Sequence, residues 1–216
     1  MSIPLTANDS SKLLLRAQRI LTGKASFQER FIPDHQELQD VLEYLRHMGC
    51  AIAFTTGVWD LFHIGHGDYI HNGKLEAEKL LPEAEKIILV VGVDTDQLTK
   101  ERKGPSRPIV PEDERFGVLG HLRPVDIITP QYEANTLYKL VGADVRIVSE
   151  STGDLPNLEL MQKECKHLVV LPPQSETSTT ARIRRLALDG RLEALKQVRG
   201  KLLLLAEEIE RDLGQQ

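Results

Sequence analysis

Thr55-Thr56-Gly57-Val58-Trp59-Asp60-Leu61-Phe62-His63-Ile64-Gly65-His66 follows an apolar run, Ala51-Ile52-Ala53-Phe54, that reads as a short buried strand. Gly57 permits a sharp exit from that strand. After His66, the residues Tyr69, Ile70, Leu75, Leu80 and Leu81 are loosely helical in spacing. The stretch therefore predicts strand, tight turn, helix. Such a turn sets the first free N–H groups of a helix, and the positive end of its dipole, at the carboxyl end of a strand, where phosphate binds well. His63 and His66 are three residues apart at the helix start, so both imidazoles can lie on one side of its first turn. Two donors and a helix N-terminus at one point suit the negative charge of a reacting phosphate.

Upstream of this turn, Asp34 and Glu37 have the spacing of a capping box with Asp in the Ser/Thr position. Leu38, Val41, Leu42 and Leu45 then recur at helical spacing, and Gly49 stops the helix. Earlier still, Leu13, Leu14, Leu15, Ile20 and Leu21, with Arg16 and Arg19 among them, predict a short amphipathic helix. It serves as a cap on the domain or as a dimer contact. Downstream, the helix runs through Lys74–Lys79 to a break at Pro82. Ile87–Val93 is β-branched, continuous and apolar, the mark of a strand buried on both faces of a parallel sheet. A loop with Lys100, Arg102, Lys103, Gly104, Arg107 and Pro108 follows, and Pro111-Glu112-Asp113-Glu114-Arg115 opens a helix.

Further strands are expected at Val125–Ile128, Val145–Val148 and Leu168–Leu171, with helices at Leu137–Val141 and Leu155–Cys165 between them. Ser178-Thr179-Thr180 can cap a helix from Ala181, and Leu192–Leu213 reads as a final amphipathic helix. Regular alternation predicts an α/β fold: a Rossmann-like doubly wound parallel sheet of about five strands, with extra N- and C-terminal helices. The expected organisation is a helical extension over 1–47, a central domain over 48–187 and a C-terminal helix over 188–216.

Composition narrows the function classes. With 216 residues, 41% hydrophobic and 27% charged, the chain has an ordinary globular make-up. A net charge of −5 gives no reason to expect nucleic acid as the main partner. Cys50 and Cys165 are far apart with no CxxC, which suits reduced thiols and a cytoplasmic location. The longest apolar run, near Leu202–Ala206, is far too short to span a bilayer, and no export signal is visible at the start.

Gly57-Val58-Trp59-Asp60 followed by His63-Ile64-Gly65-His66 resembles the signature of the nucleotidyltransferase superfamily that includes the cytidylyltransferases. It is also similar to the adenylyltransferase domain that makes ADP-heptose. Lys103-Gly104-Pro105-Ser106-Arg107-Pro108 resembles the Lys-Gly-x-Ser-Arg-Pro stretch of that domain. Arg123 and Asp126 match its Arg-x-Val-Asp, and Arg115 its Glu-Arg, where a place in the site and a role in holding its own helix are both open. Ser178-Thr179-Thr180 with Arg182, Arg184 and Arg185 resembles the family's Ile-Ser-Thr-Thr segment. There are departures: Thr177 replaces an apolar residue, Arg182 an isoleucine, and Pro173 the arginine of glycerol-phosphate cytidylyltransferases. Ser149–Asp154 does not reproduce the Lys-Gly-Gly-Asp of the heptose enzymes.

The resemblance implies that His63 and His66 hydrogen-bond the α-phosphate and that Lys103 and Arg107 complete the catalytic set. It places nucleotide and phosphate contacts on Thr56, Gly57, Val58, Trp59, Asp60, Gly65, Asp94, Arg123, Ser178, Thr179, Thr180, Arg182 and Arg184. Mg2+ is the implied cofactor, held mainly by the triphosphate with Asp60 as a candidate protein ligand. The implied reaction moves a nucleoside monophosphate from ATP, favoured over CTP, to a sugar phosphate, and a homodimer is expected. Two rivals stand beside it: a CTP-dependent enzyme acting on a polyol or alkyl phosphate, and a catalytically inactive nucleotide-sensing module. Zinc held by His63, His66 and Asp60 fits poorly, because the histidines are i, i+3 rather than i, i+4 and no glutamate base lies between them. A class I aminoacyl-tRNA synthetase would want a Lys-Met-Ser-Lys-Ser loop and a NAD enzyme Gly-x-Gly-x-x-Gly after the first strand; neither is present.

Overall fold

The computed structural model describes residues 7–150, 158–163, 165–175 and, between 188 and 199, residues 188, 190, 191, 193 and 195–199. Strands β1 (Ala51–Gly57), β2 (Ile87–Asp94), β3 (Ile127–Gln131), β4 (Val145–Ser149) and β5 (His167–Leu171) form one sheet in the order β3-β2-β1-β4-β5. Every pairing is parallel. The order reverses beside β1, so the crevice beyond the carboxyl ends of β1 and β4 is the topological switch point.

The period of two along each strand sorts residues between two cores. Ile52, Phe54, Ile88, Val90 and Ile127 join Leu38, Val41, Leu42 and Leu45 of α3 (His35–His47), Leu13, Ala17 and Ile20 of α1 (Ala7–Leu21), and Leu137 and Val141 of α7 (Leu137–Val141). Ala51, Ala53, Leu89, Val91, Val93, Val145 and Ile147 join Ile70 and Ala77 of α4 (Ile64–Leu80) and Phe116 and Leu119 of α6 (Glu112–Gly120). A sheet covered on both faces explains why β2 reads as an unbroken apolar run.

The N-terminal helices are part of this core. Arg16 of α1 donates to the Glu29 carbonyl at 2.7 Å and the Phe31 carbonyl at 2.9 Å, and pairs with Glu37 of α3. Glu29 belongs to α2 (Phe27–Arg30), which starts at a Ser26–Glu29 capping box. At α3 only half of the predicted box forms: the Asp34 carboxylate accepts from Glu37 N at 2.7 Å. Ile32 N donates to the Ile128 carbonyl at 2.9 Å, and Arg30 donates to the carbonyls of Gly120, Val125 and Asp126. The extension thus covers the outer edge of β3, which would otherwise present open backbone groups. Leu42 is fully buried. Leu42→Ala is therefore expected to cost about 2–5 kcal/mol, seen as a lower urea midpoint at unchanged slope.

Three boundaries differ from the sequence expectation. The stretch after β2 is not all loop: α5 (Asp96–Lys103) forms there, with the Thr95 hydroxyl accepting from Leu98 N at 3.2 Å and Gly104 at φ +94° ending it. With only Leu98 and Thr99 buried it has no apolar periodicity to reveal it; capping and the basic last turn support it instead. β3 begins at Ile127 and runs on through Pro130, while Asp126 turns inward to accept Leu89 N at 2.9 Å and pair with Lys74 and Lys86. Helix α8 is described over Leu158–Lys163; Cys165, the end of the predicted Leu155–Cys165, is not helical, and residues 155–157 lie outside the described residues.

The chain divides into compact units Met1–Ser175 and Glu176–Gln216. The described residues of the second, all between 188 and 199, are helical. No described helix is long and apolar enough to cross a membrane.

Candidate active site

β1 ends at Gly57, and the chain turns through Trp59 at φ +57° and Leu61 at φ +46° before α4 starts after His63. Left-handed backbone at two non-glycine residues is strained and persists only where surrounding contacts hold it. Trp59 supplies one such contact: its buried indole Nε1 donates to the Gly92 carbonyl of β2 at 2.9 Å. The turn delivers the two imidazoles as the spacing predicts. His63 precedes the first helical residue, and the His63 and His66 rings stack with centroids 3.9 Å apart at 25°. Trp59 meets His66 edge-on at 5.6 Å and Phe62 lies 5.3 Å from it, so the second imidazole has aromatic walls. Gly65 has no side chain because none would fit: a Cβ there would lie 2.4 Å from Ser175 Oγ and 3.1 Å from His63 Cε1. The segment after β5, tied down by Asn72 Nδ2 donating to Gln174 Oε1 at 2.7 Å, thus reaches the first turn of α4.

Asp60 is buried, and its carboxylate is committed to the loop beyond α5. It accepts Ile109 N at 3.0 Å and Val110 N at 2.9 Å, and pairs with Arg107 Nη2 at 2.9 Å. The basic loop is therefore fastened to the histidine turn. Asp94, at the end of β2, is likewise engaged: Gln131 donates to it at 2.7 Å and Arg102 pairs with it at 2.8 Å. Lys103 ends α5 among these charges. Partial burial pushes its ammonium below the usual lysine range, Arg107 and Arg102 push the same way, and Asp94 and Asp60 oppose them.

These contacts show where several of the predicted site residues lie. The Asp60 and Asp94 carboxylates already accept from backbone N–H groups, Gln131 and arginines. Among the described residues no group of three or more His, Cys, Asp or Glu could hold a metal ion. Trp59 and Val58 are buried packing residues of the turn, and the indole N–H is spent on Gly92. Arg107 gives part of its fork to Asp60. Arg123 does not join the site: it is exposed in the connection from α6 to β3, which in a parallel sheet lies at the amino edge, opposite the histidines. Thr56 and Gly57 remain at the carboxyl end of β1, with Thr56 Oγ1 buried and lacking a hydrogen-bond partner among the described residues. Ser178, Thr179, Thr180, Arg182, Arg184 and Arg185 lie outside the described residues.

The family model described as cytidylyltransferase-like matches residues 54–186, from within β1 to beyond β5. The chain belongs to the cytidylyltransferase-like family of nucleotidyltransferases. Its relatives include the bifunctional protein HldE of Nitratiruptor sp., 30% identical over 73% of this chain and 32% of that protein. The HldE of Helicobacter pylori is 32% identical over 69% of this chain and 30% of that protein. The HldE of Pectobacterium carotovorum is 31% identical over 60% and 25%. This chain thus spans about a quarter to a third of the length of the curated relatives it matches. Among solved structures, a lipopolysaccharide core biosynthesis protein from Thermoplasma volcanium aligns at TM-score 0.43 and 21% identity, over 59% of this chain and 98% of that one. The pantoate-beta-alanine ligase of Francisella tularensis aligns at 0.48 and 12%, over 69% and 68%. At such scores neither adds to what the sheet order already establishes.

Within this cytidylyltransferase-like domain, sequence reasoning left two contributions unread. Arg115 was open between two roles and is fully buried, bonded to three segments of the carboxyl edge. Ser175 carried no motif, and only the missing Cβ of Gly65 hinted that something packs closely there.

Proposed function

We propose that the protein transfers a nucleoside monophosphate from a nucleoside triphosphate to a phosphorylated small molecule and releases pyrophosphate. The observation that carries this is the His63–His66 stack at the first turn of α4, with the Lys103–Arg107 loop fastened to the same turn through Asp60. An acceptor phosphate monoester has a second pKa near about 6 and is already an anionic nucleophile at neutral pH. No general base is required. The barrier is charge repulsion between acceptor and triphosphate, and rigid donors with fixed positive charge lower it most when they meet charge that develops in the transition state. His63 and His66 donate to the reacting phosphate, the α4 N-terminus adds its dipole, and Lys103 and Arg107 neutralise the phosphates of the two substrates. Mg2+, in this reading, arrives with the triphosphate.

The resemblance of Lys103-Gly104-Pro105-Ser106-Arg107-Pro108 to the adenylyltransferase domain that makes ADP-heptose favours a sugar phosphate acceptor and ATP as donor. The test is a pyrophosphate-release assay crossing ATP and CTP with sugar and polyol phosphates. Release with ATP and a sugar phosphate is expected. Release only with CTP and a polyol or alkyl phosphate would select the rival substrate pair, and nucleotide binding without release would select a sensing module. A cytoplasmic location and a homodimeric state belong to the same proposal; sedimentation velocity checks the second.

The depressed Lys103 gives a pH signature. Its positive charge is present below its pKa and lost above it, and that pKa lies under the usual lysine value. We expect kcat/KM to fall on the alkaline side earlier than an ordinary lysine would allow, and Lys103→Arg to move that limb upward. Lys103→Ala should lower kcat/KM and abolish the limb; an unaltered profile would remove Lys103 from the site.

A further inference from the structure

We propose that Arg115 is a positioning residue that holds the histidine turn and the basic loop in one register without touching substrate. It is 1% exposed, the bulkiest of the fully buried side chains among the described residues. From α6 its guanidinium reaches four acceptors. Nε donates to the Val110 carbonyl at 3.0 Å, Nη1 to the carbonyls of Val58 and of Asp94 (2.9 Å), and Nη2 to Asp96 Oδ1 at 2.7 Å. All four stand at the carboxyl edge. Val58 opens the turn that leads to His63, Asp94 ends β2, Asp96 starts the helix that carries Lys103, and Val110 closes the loop that carries Arg107.

Asp60 works from the other side of the same joint. Val110 is gripped twice, its N–H by Asp60 at 2.9 Å and its carbonyl by Arg115 at 3.0 Å. The Val58–Asp60 backbone links the two charges: Arg115 holds Val58 and Asp60 holds the loop. A planar fork with five N–H groups can serve acceptors in several fixed directions at once, which a lysine ammonium on a flexible stem cannot. The residue type is therefore matched to the joint. A displacement of about 1 Å between catalytic groups can cost about 10²-fold in rate, so a residue that only sets their spacing can matter as much as one that touches substrate.

The kinetic part of this inference rests on the nucleotidyl-transfer reading, and the experiment separates the two. Amide hydrogen exchange at Ile109 and Val110 is measured in wild type and in Arg115→Lys, together with pyrophosphate release in Arg115→Lys, Arg107→Ala and the double variant. We expect Arg115→Lys to speed exchange at Ile109 and Val110 about tenfold or more while β1 and β2 amides keep their protection. Its kcat/KM should fall about 10–100-fold, and part of that loss should vanish in the Arg107→Ala background, because the loop it positions has lost one of its charges. Unchanged exchange at Ile109 and Val110, or a full penalty retained beside Arg107→Ala, overturns the proposal. Should Arg115→Lys fail to fold, Asp96→Ala removes a single bond of the four and is judged by the same two criteria. Should wild type release no pyrophosphate with any donor and acceptor, the activity reading fails and the exchange result alone decides the positioning role.

Discussion

His66→Ala is expected to lower kcat about 10²–10³-fold, with the affinity for triphosphate altered less than about threefold, the usual scale for losing a donor that acts in the transition state. The geometry is the reason for that split. His66 lies in the first turn of α4, stacked 3.9 Å from His63 and walled by Trp59 and Phe62, so its imidazole is held in place before any ligand arrives. A preorganised donor needs no reorientation as charge builds on the α-phosphate, whereas the ground-state triphosphate keeps the helix N-terminus and the basic loop. Affinity can be followed through the protein's one tryptophan, Trp59, which sits 5.6 Å from His66. Near-wild-type turnover in His66→Ala would reject the role. A loss confined to KM would make the histidine a ground-state binder instead.

The second large effect is on stability. Asp60→Ala deletes a buried carboxylate that accepts Ile109 N and Val110 N and pairs with Arg107. Removing one partner of a buried ion pair costs about 3–5 kcal/mol, because the other charge stays behind without compensation. For a domain of this size that corresponds to a fall in Tm of roughly 6–20 °C. The measurement is thermal unfolding with a chelator present, which separates this role from metal ligation. A carboxylate serving only as a metal ligand would leave the chelated melting point almost unchanged. Asp60→Asn keeps one acceptor oxygen and should fall between wild type and Asp60→Ala. Activity should fall with it, since the loop that carries Lys103 and Arg107 loses its tether.

Much of the fold could be read from the chain because it is written locally. The apolar run Ala51–Phe54, the unbroken run Ile87–Val93 and the heptad-like spacing of Leu38, Val41, Leu42 and Leu45 each encode burial within one element. The signals that failed were weak for a physical reason. Helix α5 buries only Leu98 and Thr99, so it has no periodic stripe and depends on a cap and a dipole. The carboxylates of Asp60, Asp94 and Asp126 looked alike as acidic residues in or beside motifs. What each accepts is set by neighbours far along the chain: Ile109 and Val110, Gln131, and Leu89.

The sequence by itself determined the strand–turn–helix at residues 51–80, the joint presentation of His63 and His66, and the parallel α/β order, because spacing along a strand or helix dictates which side chains share a face. Only the tertiary structure decided that Asp60 clamps the basic loop, that Arg115 bridges Val58 to Val110, and that Arg123 stands on the opposite edge of the sheet. Those outcomes depend on which end of a crossover a residue occupies and which distant backbone group it meets once desolvated, and neither is encoded in the spacing of neighbouring residues.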